Sequence, residues 1–475
     1  MNIFIFTHGL PPLLPRVFID NTETVCGSFH SNLRNNGKYK YMNTPGGTFD
    51  CQQVFAKVRP QDYPDTILVH TDGGAQCAPI NLPINCVKVL LIGGATHFGE
   101  KPLQRMVEYV YAENFDAIFL WNRHNAHFFT ELGFSNVYWM PGLTFAVPTI
   151  AQSKVKLHDL CFFGQLGKYH PRRLHIIKAL AEENIKIVGG KLPRRDSLEL
   201  VSQSRYSLNI SLNGELNMRV FESTQNGALL FNDELSEFSG LQLFYQNGDS
   251  IVTYANVKDL IEKLAFYGKH PEEAVRIAEK GQSITNRHFS FSARRDAFYA
   301  LLNDGETHHD AFRLKDEPRC KIQASTPQNK NATMRRVQIY EVAQEIHRTK
   351  ETPRIMLAGE ATPFIAADLA DLVRLKQIIA VDPKTYDTKV RPFMDKMQVK
   401  NLSRVDEERL ATESSDLLIT TTKDLETLGP KLGKTHVRVC VWDYNPDNKP
   451  ITETLLAAGY QEKESLQGLF ELNKS

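Results

Sequence analysis

Short apolar runs alternate with amphipathic segments of helix length up to about residue 303. The runs at residues 2–7 and 87–92 predict buried strands, because short apolar stretches bounded by turn residues are typical of parallel sheets. The segments at residues 103–113 and 172–183 predict helices between such strands. Strands that alternate with helices indicate a parallel sheet of Rossmann type. The pattern restarts at a strand predicted for residues 159–163, so we expect two successive Rossmann-like domains.

A polar stretch without periodicity separates these two domains from a third block. Residues 304–334 contain Asp304-Gly305 and Ser325-Thr326-Pro327, which are typical of a linker. Strands predicted at residues 354–357 and 378–381, with a helix predicted at residues 366–374, follow this linker. We therefore assign residues 1–150 and 151–303 to the two Rossmann-like domains, 304–334 to the linker and 335–475 to a smaller Rossmann-like α/β domain.

The third block resembles a methyltransferase-like Rossmann domain in its layout. Its first strand-to-helix loop, residues 358–362, contains Gly359 as its single glycine. A glycine-rich loop is needed where the backbone must follow a cofactor closely, and one glycine does not supply it. We therefore expect a degenerate, non-catalytic domain with a structural or oligomerisation role.

Length, charge and cysteine content limit the classes of function. A chain of 475 residues is too long for one core, and 42% hydrophobic with 23% charged residues is ordinary for a globular protein. A net charge of +1 gives no global field for nucleic acid or acidic lipid, although a local basic patch is compatible with it. Seven scattered cysteines without a CxxC pair favour reduced thiols and disfavour zinc. The chain start lacks a basic signal-peptide region and no apolar run could span a bilayer, so we expect a cytoplasmic protein without a membrane span.

The segment at residues 213–233 carries the strongest candidate chemistry. Asn213-Gly214 predicts a turn, and a helix is predicted to begin at Asn217. Arg219 lies in its first turn and Glu222 one turn later. A helix N-terminus with an arginine attracts phosphate, and a carboxylate accepts hydrogen bonds from two ribose hydroxyls. The pattern indicates a nucleotide site, and the alternative is an ordinary amphipathic helix between two strands.

A second loop in the same domain suits a diphosphate. Gly164-Gln165-Leu166-Gly167 follows a predicted strand, and Arg172 and Arg173 begin the next helix. A glycine loop allows close approach of a diphosphate, which arginines can neutralise. The alternative is a plain strand-to-helix connection. We therefore predict that Gly164, Gln165, Arg172 and Arg173 contact the ligand.

Several motifs resemble those of CgeB-like glycosyltransferases, which are related to the large group 1 transferases. In the second domain the motif residues are Arg219, Phe221-Glu222, Gly227-Ala228, Tyr254, His288, Ser290-Phe291 and Arg294-Arg295, preceded by Phe162-Phe163-Gly164 and His170-Pro171-Arg172-Arg173. In the first domain they are His70-Thr71-Asp72, Thr96-His97, Gly133, Asn136-Val137, Trp139 and Pro141-Gly142. The resemblance covers about residues 65–300. Ala95 stands where the family has an aspartate before Thr-His, so no role of that aspartate carries over.

The resemblance implies a GT-B fold, with two facing Rossmann-like domains and the ligand cleft between them. It implies a UDP- or GDP-sugar donor held mainly by the second domain, and a hydroxyl acceptor held mainly by the first. Such transferases commonly need no metal, because cationic side chains and helix dipoles neutralise the diphosphate. The related large families mostly retain the configuration of the sugar, so we expect retention. No tightly bound cofactor is expected beyond the donor itself.

The cleft face of the first domain carries the catalytic candidates. Asp72 and His97 follow predicted strands, and the carboxyl ends of parallel strands line the crevice of such sheets. Asp72 is placed to accept the proton of the attacking hydroxyl, and His97 to contact the sugar or the leaving phosphate. The alternatives are a turn-forming aspartate and a loop histidine bonded to backbone. His124 and His127 share one predicted helix, where such spacing can hold a metal but more often marks a half-exposed face.

Two alternatives from other classes stay open. Some viral glycosyltransferases modify hydroxymethylated bases in DNA, and Arg194-Arg195 and Arg335-Arg336 are the nearest basic pairs for such a role. A non-catalytic nucleotide-binding scaffold is the other. The acceptor is therefore a carbohydrate, a protein or DNA, and the oligomeric state is not predicted.

Overall fold

The computed structural model describes most of the chain and divides it into two compact units. The described residues are 2–7, 24–28, 40–71, 77–93, 101–142, 150, 153, 155–167, 170–305, 307–314, 317–324, 330–350, 352–359, 362–399, 402–406, 409–410, 412–428, 432, 436–445, 447, 449–463 and 466–472. The first unit is Met1–Ser325 and the second is Thr326–Ser475.

The first half of the first unit is built on a parallel sheet. Its strands are β1 (Ile3–Thr7), β2 (Thr24–Gly27), β3 (Lys40–Asn43), β4 (Gly47–Asp50), β5 (Thr66–Thr71), β6 (Cys77–Ile80), β7 (Val87–Ile92), β8 (Ala117–Leu120) and β9 (Val137–Trp139), and its helices are α1 (Gln52–Phe55), α2 (Pro102–Glu113) and α3 (Ala126–Glu131), with 3-10 turns at Pro60–Asp62 and Arg123–Asn125. Within the described residues the strand order is β3-β2-β1-β5-β7-β8-β9, and β4 pairs with β6 outside it. Strands β1, β5 and β8 are buried throughout, which explains the unbroken apolar run of three or four residues within each of them.

The second half of the first unit is a smaller parallel sheet. Its strands are β10 (His158–Phe163), β11 (Ile187–Gly190), β12 (Ser204–Asn209), β13 (Leu229–Asp233) and β14 (Val252–Tyr254), and its helices are α4 (Pro171–Glu182), α5 (Arg194–Ser202), α6 (Met218–Gln225), α7 (Val257–Lys269), α8 (Pro271–Phe289) and α9 (Phe291–Asp304), with 3-10 turns at Glu237–Ser239 and Leu241–Leu243. The order over the described residues is β11-β10-β12-β13-β14. The chain leaves β10 toward one side of the sheet and returns to β12 on the other. A topological switch point therefore lies between these two strands, where ligands bind in open α/β sheets.

Two tryptophans of the first half dock onto loops of the second half. Trp121, directly after β8, donates from Nε1 to the carbonyl of Leu216 at 2.8 Å, in the loop that follows β12. Trp139 donates from Nε1 to the carbonyl of Trp121 at 2.9 Å. Gly240 lies against the Trp139 ring with φ +81°, where a Cβ would come within 2.4 Å of Cη2. Loops at the carboxyl ends of both sheets thus meet, and the expected α/β fold of GT-B class is confirmed.

The segment that follows α9 packs on the rest of the first unit. It contains a 3-10 turn at Asp310–Phe312 and helix α10 (Pro318–Ala324). Phe312 is fully buried against Phe244 and Trp139, with ring centroids 5.5 and 6.3 Å apart. Arg313 forms an antiparallel bridge with Tyr138 of β9. Residues 307–314 and 317–324 of the expected linker are therefore folded chain, held by a few large side chains that leave no periodic pattern in the sequence.

The second unit contains a mostly parallel sheet. Its strands are β15 (Arg354–Ala358), β16 (Lys376–Ala380), β17 (Leu402–Val405), β18 (Leu417–Thr420), β19 (Arg438–Val441), β20 (Tyr460–Glu462) and β21 (Leu469–Leu472), and its helices are α11 (Lys330–Thr349), α12 (Thr362–Asp368), α13 (Pro383–Thr385), α14 (Arg391–Lys396), α15 (Thr422–Leu428) and α16 (Lys449–Ala457), with a 3-10 turn at Leu369–Asp371 and a π-helical turn at Tyr386–Val390. The order in the described part is β17-β16-β15-β18-β19-β21-β20, with β21 antiparallel to both neighbours.

The second unit differs from the sequence prediction in one helix. The helix predicted at residues 366–374 begins earlier, at Thr362, and its α-helical part ends at Asp368. The 3-10 turn that follows is buried, so the apolar residues after Asp368 fill core space without continuing the helix.

Two general features complete the description of the fold. Across the described ranges, no helix combines the length and the apolar character needed to cross a bilayer. All seven cysteines are described, and each is a buried free thiol.

Candidate functional site

A cleft of about 260 Å³ opens at the carboxyl edge of the second sheet. Four segments meet there: the loop after β10, the loop after β11, helix α5 and helix α6. The residues that line it are Phe163, Gly164, Gln165, Lys191, Leu192, Arg194, Ser197 and Glu222. This is the position at which the switch point between β10 and β12 places a ligand.

A ladder of asparagines fixes the start of α6. Asn217 caps the helix, because its Oδ1 accepts a hydrogen bond from the backbone N–H of Arg219 at 3.0 Å. The Asn217 Nδ2 donates to Oδ1 of Asn209 at 3.1 Å, and Arg219 Nη1 donates to the same oxygen at 2.9 Å. Asn209 in turn donates from Nδ2 to Oδ1 of Asn232 at 2.6 Å. The predicted residues Asn217 and Arg219 are thus brought together and tied to the ends of β12 and β13.

The Arg219 guanidinium is held against the glycine loop. Gly164 has φ +145°, and a Cβ on it would come within 2.6 Å of Arg219 Nη2, so this contact requires glycine. The guanidinium carbon lies 5.4 Å from the Phe162 ring centroid and 5.7 Å from that of Phe163. Burial, followed by the nearby Arg173 charge, lowers the pKa of Arg219 to about 9, so it stays cationic at neutral pH. A fixed cation beside a glycine loop is suited to bind a diphosphate.

Glu222 places a carboxylate in the wall of the cleft. Its residue surface is 9% exposed, and its Oε1 lies 3.3 Å from Arg194 Nε. Burial raises the pKa of Glu222, while the positive charges of Arg194 and then Arg219 oppose that rise. An ionised carboxylate offers acceptor positions for two neighbouring hydroxyl groups. The geometry therefore agrees with the predicted ribose contact.

Arg172 and Arg173 have protein partners and do not line the cleft. Arg172 Nη1 lies 2.6 Å from Oδ2 of Asp233 in a buried ion pair. Arg173 donates from Nε to the carbonyl of Ile210 at 3.1 Å and from Nη1 to the carbonyl of Gln165 at 3.3 Å. Both guanidinium groups therefore support the loops around the cleft, and Arg173 positions the predicted ligand contact Gln165.

The sequence analysis did not assign Lys191, Leu192, Arg194 and Ser197 to the site. Lys191 and Leu192 follow β11 directly, Arg194 and Ser197 lie on α5, and Arg194 was considered only as one half of a basic pair. The missed signal is Gly189-Gly190, because glycines at the end of a parallel strand mark a loop at the ligand-binding edge. Gly189 has φ +118°, and a Cβ there would come within 2.2 Å of the Phe162 carbonyl.

The catalytic candidates Asp72 and His97 lie outside the described residues. The strands that lead to them are described: β5 ends at Thr71, and β7 ends at Ile92, and these two residues are direct partners in the parallel ladder. The chain therefore emerges from both strands at the same edge of the first sheet. The roles of Asp72 and His97 stay predictions.

The two histidines considered for metal binding are buried. His124 is 2% exposed and His127 is 1% exposed, so neither lies on the half-exposed face that the sequence suggested as the alternative. Burial, and then the charge of Arg319, lowers the pKa of His124 to about 3. No group of three or more His, Cys, Asp or Glu side chains within the described ranges is arranged to hold a metal ion.

Comparison with known proteins identifies the domain that carries the cleft. Residues 170–300 match the family described as glycosyl transferase-like. The sequence matches no curated protein significantly. The matched residues include Arg219 and Glu222, so the part of the chain that is similar to this family contains helix α6 of the cleft.

Three solved structures are similar to this chain. HepE from Anabaena, in complex with UDP and glucose, is 11% identical with a TM-score of 0.47, over 64% of this chain and 99% of that chain. Sucrose-phosphate synthase from Thermosynechococcus elongatus is 10% identical with a TM-score of 0.44, over 60% and 89% of the two chains. TarM from S. aureus is 12% identical with a TM-score of 0.40, over 52% and 57%.

Proposed function

We propose that this chain transfers a sugar from a nucleotide-diphosphate sugar to a hydroxyl acceptor. The observation that carries the proposal is the placement of Arg219 and Glu222 on one short helix at the switch-point cleft, where Glu222 lines the cleft and Arg219 lies directly behind the lining residue Gly164. A cation and a carboxylate one helical turn apart match the diphosphate and the ribose of one nucleotide. The family match over the same residues supports sugar transfer as the use of that nucleotide.

The donor binds with its ribose on Glu222 and its diphosphate near Arg219 and the Gly164-Gln165 loop. Lys191 and Arg194 add two further cations to the same cleft. These positive charges neutralise the diphosphate as the sugar leaves, so the reaction proceeds without a bound metal ion. UDP is the first nucleotide to test and GDP the second. Because its motifs resemble those of CgeB-like glycosyltransferases, we assign the chain to that type.

The acceptor binds on the first domain, where Asp72 takes the proton of the attacking hydroxyl and His97 contacts the sugar or the leaving phosphate. The transfer retains the configuration of the sugar, as in the larger families that the motifs resemble. Residues 335–475 form a non-catalytic domain. The packing of Gly359 supports this, since a Cβ there would come within 2.5 Å of Thr421 Cγ2, so contact with the protein itself accounts for the single glycine.

The test is calorimetric titration of the full chain and of Glu222→Ala with UDP, GDP and their sugar forms. Loss of hydrogen bonds to a charged group costs about 1.5–3 kcal/mol, so the variant should bind about 10- to 150-fold more weakly. Glu199→Ala is the matched control, because Glu199 pairs with Arg195 on the exposed side of α5 and does not line the cleft. Equal affinity of Glu222→Ala and the wild type for every nucleotide would contradict the proposal.

Turnover tests the remaining parts. Mixtures of donor and candidate hydroxyl acceptors should give a glycosylated product in the presence of a chelator. NMR of the new glycosidic linkage should show the same anomeric configuration as the donor. A product of inverted configuration would contradict the proposed retention. Activity that depends on an added divalent ion would contradict the proposed metal independence. Neither result would contradict the proposed nucleotide site.

A further inference from the structure

The first turn of α5 carries positive charges that helix stability does not explain. Arg194 and Arg195 are the first two residues of this helix, after Pro193 at the cap position. The N-terminus of a helix bears a partial positive charge, so cations there are unfavourable. Asp196 in the same turn offsets part of this cost. An arginine at an unfavourable helix position beside a cleft indicates that Arg194 has a role in the cleft.

The two arginines differ in their surroundings. The Arg195 side chain is 85% exposed and pairs with Glu199 one turn along the same helix. The Arg194 side chain is 32% exposed, lines the cleft and pairs with Glu222 of α6 at 3.3 Å. The ion pair of Arg194 therefore links two helices across the wall of the nucleotide site, while that of Arg195 lies outside it.

We propose that Arg194 is a positioning residue for nucleotide binding: its guanidinium holds the Glu222 carboxylate ionised and in the orientation that accepts the ribose hydroxyls. The inference rests on the proposed function, in which Glu222 binds the ribose. A buried carboxylate without a partner either takes up a proton or moves toward solvent. In either case it loses an acceptor position that the ribose diol requires.

Charged groups on several elements determine how strongly Glu222 depends on Arg194. Arg219 of α6 also favours the ionised form of Glu222, with a smaller effect than Arg194. Lys191, before α5, lines the same cleft. Arg294 of α9 lies within electrostatic range of Arg194. Without Arg194 the burial of Glu222 is opposed mainly by Arg219, so its pKa rises further above the ordinary range.

This gives a pH dependence with a defined sign. A raised pKa means that Glu222 becomes protonated as the pH falls toward that value, so an affinity that needs the carboxylate falls with it. In the wild type the Arg194 charge opposes the rise in the pKa of Glu222, so affinity should fall only at lower pH. In a variant without that charge the pKa of Glu222 is higher, so the fall in affinity should begin at a higher pH than in the wild type; the range to test is about pH 8 to about pH 6.

The experiment measures the Kd of the intact chain for UDP-glucose, or for GDP-mannose if GDP binds more tightly than UDP. These diphosphate diesters do not titrate in this range. The variants are Arg194→Met, which keeps the apolar stem, Arg194→Lys, which restores a charge, and Arg195→Met as the matched control. Arg194→Met should raise the Kd increasingly as the pH falls, up to the limit of about 10- to 150-fold that loss of the Glu222 contact sets. Arg194→Lys should restore the wild-type pH profile, and Arg195→Met should behave as the wild type.

The outcomes separate this inference from the proposed function. A uniform loss of affinity in Arg194→Met at every pH would mean that Arg194 contacts the ligand directly, and it would overturn the positioning role. A wild-type pH profile with unchanged Kd would also overturn it. If neither Glu222→Ala nor Arg194→Met changes the Kd, the proposed function itself is contradicted. If Glu222→Ala raises the Kd strongly and Arg194→Met leaves it unchanged, only the positioning role of Arg194 is rejected. Thermal unfolding checks each variant, and Arg194→Gln carries the same expectation if Arg194→Met does not fold.

Discussion

A chain that ends at Asn303 should be much less stable than one that ends at Ser325. Both truncations remove the second unit, and both retain the cleft at Arg219 and Glu222. They differ in the segment that packs on the first unit after α9. The shorter chain loses Phe312 and the residues around it, although the sequence of this segment is polar and suggests a linker.

The magnitude follows from the buried side chains. Phe312 and Leu314 are 0% and 1% exposed. Burial of one such side chain contributes about 1.5–3 kcal/mol, so their loss removes about 3–6 kcal/mol. The buried pair of Arg319 and Glu317 is left out of this sum, because removal of both partners of a buried ion pair is often nearly neutral. Domains are stable by only about 5–15 kcal/mol, so the loss is a large fraction of the total.

The assay compares thermal unfolding and UDP binding of the two truncated chains. At about 2 °C or more per kcal/mol for a large domain, the chain that ends at Asn303 should melt at least about 6 °C lower, or be recovered unfolded. Phe312→Ala in the full chain is the independent check, with an expected loss of about 3–5 kcal/mol. Equal melting temperatures for the two truncations would refute the reasoning, because the buried segment would then contribute nothing.

Two further predictions concern the other ends of the chain. His97→Ala should lower kcat more than it raises KM, if His97 acts mainly in the transition state. Asp72→Asn should lower the rate about 100-fold or more. A structure with bound donor that places either side chain beyond reach of the sugar would reject the proposed role of that residue. The domain at residues 335–475 should bind no S-adenosylmethionine, because its loop carries Gly359 alone, and a micromolar site found by calorimetry would contradict this.

Local patterns in the sequence predicted the elements of the fold because those elements depend on local physics. The strand predicted at residues 87–92 has the bounds that the structure shows. The helix predicted from Asn217 begins there because the asparagine side chain satisfies the backbone N–H of Arg219, which is an interaction between neighbours. Apolar periodicity and capping act within one or two turns, and a single sequence contains them in full.

The partners of charged side chains could not be predicted in the same way. Arg172 and Arg219 look equivalent in the sequence, since both are arginines near a glycine loop. Asp233, 61 residues further along the chain, binds Arg172, whereas the two phenylalanine rings and Asn209 hold Arg219 at the cleft. Which arginine lies beside the cleft is therefore set by contacts between distant segments. The role of Arg194 at the cleft was missed for the same reason, because its partner Glu222 lies on a different helix.

Arg219 and Glu222 are held in place by different kinds of contact, and this difference affects how nucleotide affinity should respond to mutation. Arg219 is fixed by a hydrogen bond to Asn209, by two aromatic faces and by a glycine that leaves it room, so little side-chain entropy remains to be lost when an anion arrives. Glu222 owes its charge and orientation largely to a single ion pair with Arg194. The proposed diphosphate contact is thus preorganised, while the proposed ribose contact depends on one neighbour. Affinity for a nucleotide should therefore resist changes around Arg219 that keep its charge, and respond to small changes around Glu222.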